Sequence, residues 1–222
     1  MMPVTEQQTD SQSGPAGSEA GSAPPKLRDA LNAPNLITFS RLILALVLFV
    51  LIYLDGFWLT AAILFVVAAS TDFLDGYIAR RYGLITVIGR IMDPFADKII
   101  VCGAFIFLLD KKIDVAHESV IWSGVNAWMV LIIIGREMFI SSLRGFLEKQ
   151  GMDFSADWTG KIKMALQCLA VTASLLSLAP EFSSVKEFIL FRNVILWAAV
   201  GFTAYSGVAY VVRALTLLRS RG

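Results

Sequence analysis

The sequence predicts an all-α integral membrane protein, with six transmembrane helices surrounding a polar cavity, preceded by a disordered tail and a short interfacial helix. Two observations carry this. Of the 222 residues, 56% are hydrophobic and only 17% charged, against roughly a quarter charged in soluble domains. Beyond about the first 35 positions, the chain is a series of apolar stretches, each near the roughly 20 residues that cross a hydrocarbon core. The formal net charge of +1 argues against a generally basic nucleic-acid binder. Any electrostatic role therefore depends on where the charges stand.

Residues 1–25 are rich in Ser, Gly, Pro, Gln and Ala and cannot bury enough apolar surface to offset chain entropy, so a disordered tail is expected. The tail lacks a basic segment followed by an apolar run, and so does not read as a cleavable secretory signal. In 26–33, Leu27, Ala30 and Leu31 share one side while Lys26, Arg28 and Asp29 lie elsewhere, as in a brief interfacial helix. Residues 34–222 form the membrane domain, with spans expected at 36–54, 57–81, 91–109, 120–147, 162–178 and 188–218. With a cytoplasmic N-terminus, the inner segments hold Lys26, Arg28, Arg80, Arg81, Arg90, Arg144, Lys149, Lys161, Lys163, Arg213, Arg219 and Arg221. The outer ones keep Lys111, Lys112, Lys186 and Arg192. This is the positive-inside asymmetry, and six spans return the C-terminus to the cytoplasm.

Cys102 and Cys168 lie in separate apolar stretches without metal-ligand spacing and read as packing residues. His117, in a short polar connection beside Glu118, reads as a solvated loop residue.

The chemistry concentrates between residues 72 and 97. The chain runs Asp72-Phe-Leu-Asp75-Gly76-Tyr-Ile-Ala79-Arg80, then eight residues, then Gly89-Arg-Ile-Met-Asp93-Pro-Phe-Ala-Asp97. An acid at mid-membrane costs about 2.5–3.5 kcal/mol on insertion scales, so four of them need compensation. On a helix, the i,i+3 and i,i+4 spacings put each pair on one side, and two facing pairs make a four-carboxylate cage. Hard oxygen ligands suit Mg2+ or Mn2+, and two such ions can bridge a diphosphate. Ala68, Ala69, Gly76, Ala79 and Gly89 leave room for close approach. The competing reading, acids neutralised by Arg80, Arg90 and Lys98, accounts for one pairing, Arg90 with Asp93. Lys98 is adjacent to Asp97 and points away from it.

These residues resemble the signature of the CDP-alcohol phosphotransferases, D-x2-D-G-x2-A-R-x8-G-x3-D-x3-D, at every fixed position. The resemblance implies that Asp72, Asp75, Asp93 and Asp97 hold two divalent cations and that Asp97 is also the general base. It implies that Gly76, Arg80 and Thr86 contact the CDP moiety, together with Asn35 and Thr38 at the start of the first span. It also suggests a homodimer with a site in each subunit. If span two ends near Arg81, Asp72 lies about 14 Å deep at roughly 1.5 Å per residue, in a cavity open to the cytoplasm.

A second basic group, Arg136, Arg144, Lys161 and Lys163, can surround an anion, the two lysines near a helix N-terminus. The alternative is that they are anchors at the headgroup level, although Arg136 lies deeper than an anchor needs. The strings Gly135-Arg136-Glu137…Ser142-Leu143-Arg144, Gly160-Lys161-Ile-Lys163…Gln167 and Pro34-Asn35-Leu36-Ile37-Thr38…Arg41 are similar to those of the bacterial phosphatidylglycerophosphate synthases within that family. This implies CDP-diacylglycerol as donor, sn-glycerol 3-phosphate as acceptor, CMP and phosphatidylglycerophosphate as products, and the inner (plasma) membrane as location. Met164 departs from the small polar residue expected there. Arg41 is open to two readings, phosphate contact or snorkelling. Rival readings are a family member with another acceptor (inositol phosphate, phosphatidylglycerol or serine) and, from a different class, a divalent-cation transporter.

Overall fold

A computed structural model describes residues 33–82, 87–109, 111–115, 118–150 and 158–219; within 33–38, 72–82, 87–94, 97, 112–115, 118–121 and 217–218 it describes the backbone alone. The tail, most of the interfacial segment, Thr86 and His117 lie outside the described residues. In chain order the elements are α1 (Ala33–Tyr53), α2 (Trp58–Tyr82), α3 (Val87–Leu109), strands β1 (Lys112–Val115) and β2 (Glu118–Ile121), α4 (Ala127–Lys149), α5 (Trp158–Leu178), the one-turn α6 (Pro180–Ser183) and α7 (Lys186–Arg219). The expected long helices are all there. Trp158–Leu178 and Lys186–Thr216 are long and apolar enough to cross a bilayer, while Phe39–Tyr53, Trp58–Thr71 and Lys98–Leu109 are shorter apolar stretches.

One departure from an all-α chain lies between α3 and α4. The expected fourth helix starts at Ala127 rather than at 120, because residues 118–121 pair antiparallel with 112–115. Ile113 faces Val120 across this hairpin, and β-branched residues suit a pleated ladder better than a helix start. Asn126 then opens α4, its side chain accepting from the Met129 N–H at 3.0 Å, which satisfies one of the N–H groups a helix start leaves without a partner.

The bundle shows the polarity of a protein dissolved in lipid. Large apolar side chains point outward on every long helix, among them Ile43, Leu46, Ile63, Val66, Ile106, Leu131, Phe139, Leu169, Val194, Trp197 and Val208. Buried instead are Arg41, Glu137, Lys163, Gln167, Arg192, Thr203 and Ser206. In water such a surface would be a large exposed apolar patch, and in hydrocarbon the charged groups turn inward to find partners. Small residues make the inner contacts: Ala61, Ala68, Ala104, Ala170 and Ala199 are all at 0% exposure, so backbones approach closely where no hydrophobic force drives helices together. Helix α1 packs on α2 and α3, α2 on α5, α3 on α4 and α5, and α7 on α4 and α5.

The end of the bundle carrying the hairpin is pinned by two cations. Lys111 reaches Asp55 at 2.7 Å in the α1–α2 turn, where Asp55 and Gly56 have φ of 55° and 82°. Arg192, expected with Lys111 among the outer charges, lies at the same end and is buried there, donating to the Trp122 carbonyl, to Ser177 Oγ at 3.0 Å and to Asn193 Oδ1 at 2.9 Å. Gly124 makes this possible. Its φ is 74°, and a Cβ there meets Arg192 Nε at 2.8 Å. Gly124→Ala is therefore expected to cost about 1–2 kcal/mol in backbone strain alone, more with the displaced arginine. The check is a melting temperature lowered by several degrees with substrate KM values unchanged.

Candidate active site

The spacing argument for the four aspartates needed helix at both pairs, and helix is present at both. Helix α2 runs unbroken from Trp58 to Tyr82 through Asp72 and Asp75, and α3 from Val87 to Leu109 through Asp93 and Asp97. The two helices contact one another, and both contact α5. Ala68, one turn before Asp72, and Ala96, next to Asp97, are both fully buried, so small side chains line the inner packing beside each pair. The side chains of Asp72, Asp75, Asp93, Asp97, Arg80, Asn35 and Thr38 lie outside the described ones, as does the surroundings of Gly76. The donor set itself, four carboxylates with neither Cys nor His within the signature, fits hard divalent cations such as Mg2+ or Mn2+ rather than zinc.

The basic group is described in full. Arg136 sits on α4 with its side chain 10% exposed. Its Nη1 lies 3.4 Å from Glu137 Oε1 and its guanidinium carbon 5.4 Å from the centre of the Tyr210 ring on α7. Gly207 leaves room for that approach, since a Cβ there would meet Arg136 Cγ at 3.1 Å and press it aside by a few tenths of an ångström. Arg144, two turns further along α4, lies 6.0 Å from the centre of the same ring, so one aromatic ring has two guanidinium groups beside it. Lys163 of α5 is buried at 7% exposure and donates to the same Oε1 of Glu137.

Lys161 takes a different course. Two residues apart on a helix means nearly opposite sides, and Lys161 is exposed, its ammonium 5.2 Å from the Trp158 ring. The structure thus brings Arg136, Arg144 and Lys163 toward one region between α4, α5 and α7, while Lys161, grouped with them from the sequence, turns to another side of α5 beside Trp158.

Several polar residues join this region that sequence reasoning had not assigned to it. Lys98, adjacent to Asp97, donates to Ser141 Oγ on α4, and Ser141 Oγ donates to the Glu137 carbonyl at 2.7 Å. Gln167 donates to Thr203 Oγ1 at 3.0 Å. Lys98, Glu137, Lys163, Met164 and Gln167 line a cavity of about 20 Å³, room for about one water. Met164, the departure noted in the sequence, thus forms part of its wall. A signal for Glu137 was visible in the chain, since an acid beside an arginine within an apolar helix needs a buried partner. Which partner it takes depends on how α5 crosses α4.

The acid-bearing helices and the cation cluster are connected through Lys98, whose backbone neighbour is Asp97 and whose ammonium reaches α4.

Known proteins resemble this chain over most of its length. A CDP-diacylglycerol–glycerol-3-phosphate 3-phosphatidyltransferase of Bacillus subtilis (strain 168) is 39% identical over 195 residues, covering 81% of this chain and 93% of its own. One of the same description from Pseudomonas fluorescens is 34% identical over 201 residues, with 86% and 94% covered. A cardiolipin synthase (CMP-forming) of Oryza sativa subsp. japonica is 31% identical over 198 residues, covering 85% of this chain and 58% of its own. With the CDP-alcohol phosphatidyltransferase model matching residues 31–205 as well, this chain belongs to the CDP-alcohol phosphatidyltransferase family.

Proposed function

We propose that this transferase moves the phosphatidyl group of CDP-diacylglycerol to sn-glycerol 3-phosphate, releasing CMP and forming phosphatidylglycerophosphate. The observation that carries the acceptor is the buried cation group of Arg136 and Lys163, with Arg144 behind it, one helix away from the signature acids. A small phosphomonoester suits such a site, because charge-assisted hydrogen bonds from buried cations are the strong ones. Relatives at 34–39% identity carry the same activity in their names. Membership in a transferase family also favours an enzyme over a cation transporter.

In this reading Asp72, Asp75, Asp93 and Asp97 hold two Mg2+ (or Mn2+) ions, which when bound neutralise the diphosphate and the charge left on CMP. Arg80 pairs with the diphosphate, Gly76 leaves space for the nucleoside, and Asn35, Thr38 and Thr86 contact it. Arg136, Lys163 and Arg144 hold the acceptor's phosphate, which leaves the distal hydroxyl directed toward α3. Asp97 takes the proton of that hydroxyl as its oxygen bonds to the β-phosphorus and the bond to CMP breaks. Six spans place both termini and the site on the cytoplasmic side of the inner membrane, and the enzyme works as a homodimer.

One experiment tests acceptor, metal and sidedness together. Inverted membrane vesicles containing the protein and CDP-diacylglycerol should release CMP with glycerol 3-phosphate and Mg2+, and stop on chelation. Inositol phosphate, serine and phosphatidylglycerol should give none, and right-side-out vesicles should stay silent with the impermeant acceptor. CMP release with inositol phosphate alone would overturn the acceptor, and equal activity in both orientations would overturn the sidedness.

A further inference from the structure

Two of the cations assigned to the acceptor share an anion that belongs to the protein. Oε1 of Glu137 accepts from Lys163 and lies 3.4 Å from Arg136 Nη1. All three side chains are about nine-tenths buried. We infer that Glu137 is an internal counter-anion of the acceptor site, occupying the two cations when no acceptor is bound and competing with the acceptor's phosphate for them. The inference rests on the reading of Arg136 and Lys163 as the acceptor-phosphate site.

The physical argument starts from burial. An ammonium held away from water keeps its charge only beside an anion, and in the acceptor-free protein Glu137 supplies one. A pair serving stability alone would need only Lys163. Here the same oxygen also faces Arg136, so one carboxylate faces both donors that a phosphate would use. A phosphomonoester, with three strong acceptor oxygens, can take those N–H groups only by loosening them from Oε1. The arrangement keeps the site charged and formed when empty, and it lowers affinity for the phosphate, which aids turnover when the acceptor is plentiful. Glu137 touches neither reacting atom in this scheme; it is a positioning residue acting through Lys163 and Arg136.

Glu137→Gln preserves shape and hydrogen bonding and removes the charge. The half-saturating concentration of inorganic phosphate, read from the rise in melting temperature of the purified full chain in EDTA, is expected to fall about 10-fold. In the Mg2+ assay the KM for glycerol 3-phosphate should fall with it, while the KM for CDP-diacylglycerol is unchanged. Glu137→Asp, which withdraws the carboxylate by one methylene, keeps the test available if the glutamine variant does not fold, and should give a smaller fall in the same direction. A folded variant that binds phosphate no more tightly than the parent overturns the inference and leaves Glu137 as a structural partner of Lys163. Arg136→Gln serves as the control and should raise the half-saturating concentration. If it does not, the acceptor-site reading falls and the inference falls with it; if it does and the Glu137 variants bind no tighter, only the inference falls.

Discussion

Asp97→Asn is expected to lower CMP release by about 10³-fold or more and to leave the fold intact. The reason for so large an effect is that the proposed role is double. Asparagine cannot accept the acceptor's proton, and general-base loss alone is worth about 10²–10⁴-fold. It also replaces a charged metal ligand with a neutral one, which weakens a site built from hard anionic oxygens. Stability should move little, because Asp97 is one of four acids whose mutual repulsion is relieved when one becomes neutral. Single-turnover CMP release and a melting curve on the same preparation decide the matter. A variant retaining a tenth of parental activity would remove Asp97 from the role of base.

The second large effect is expected at Arg136. Arg136→Gln should raise the KM for glycerol 3-phosphate by about 10–100-fold, since a hydrogen bond to a charged group contributes about 1.5–3 kcal/mol and about 1.4 kcal/mol is tenfold. The KM for CDP-diacylglycerol and kcat at saturating acceptor should change by less than about threefold, the pattern of a contact made equally in ground and transition states. Glutamine fills much of the space beside Gly207 and Tyr210, so packing is largely kept. Lysine is an informative comparison, because it restores the charge without the planar fork and should recover part of the affinity. An equal rise in the KM of both substrates would place Arg136 in general architecture instead.

Along the chain, what could be read was what repeats with helical periodicity. The long apolar stretches fell within a few residues of the observed helices at α1, α2, α3, α5 and α7. The spacing of the four aspartates became interpretable because α2 and α3 are unbroken helix through both pairs. The start of α4 was read wrongly for a physical reason: Val120, Ile121 and Trp122 are apolar enough to extend a membrane helix, and a short apolar run does not distinguish helix from strand. Pairing with residues 112–115 decided it. Arg192 stands at the end of the bundle that holds Lys111, where its charge was expected, but its burial among Trp122, Ser177 and Asn193 follows from the fold.

The solvent, the long helices and the acidic signature were legible along the chain, because they depend on residue type and local spacing. Helix packing set the rest: Lys163 turns inward to Glu137 while Lys161 stays exposed beside Trp158, Tyr210 gathers Arg136 and Arg144, and Lys98 ties α3 to α4. In a water-soluble bundle, an apolar stripe announces which side of each helix faces its neighbours. Here lipid makes the outer side apolar too, so helix rotation is set by small residues and buried polar contacts between segments far apart in sequence. Those contacts exist only once the helices have packed.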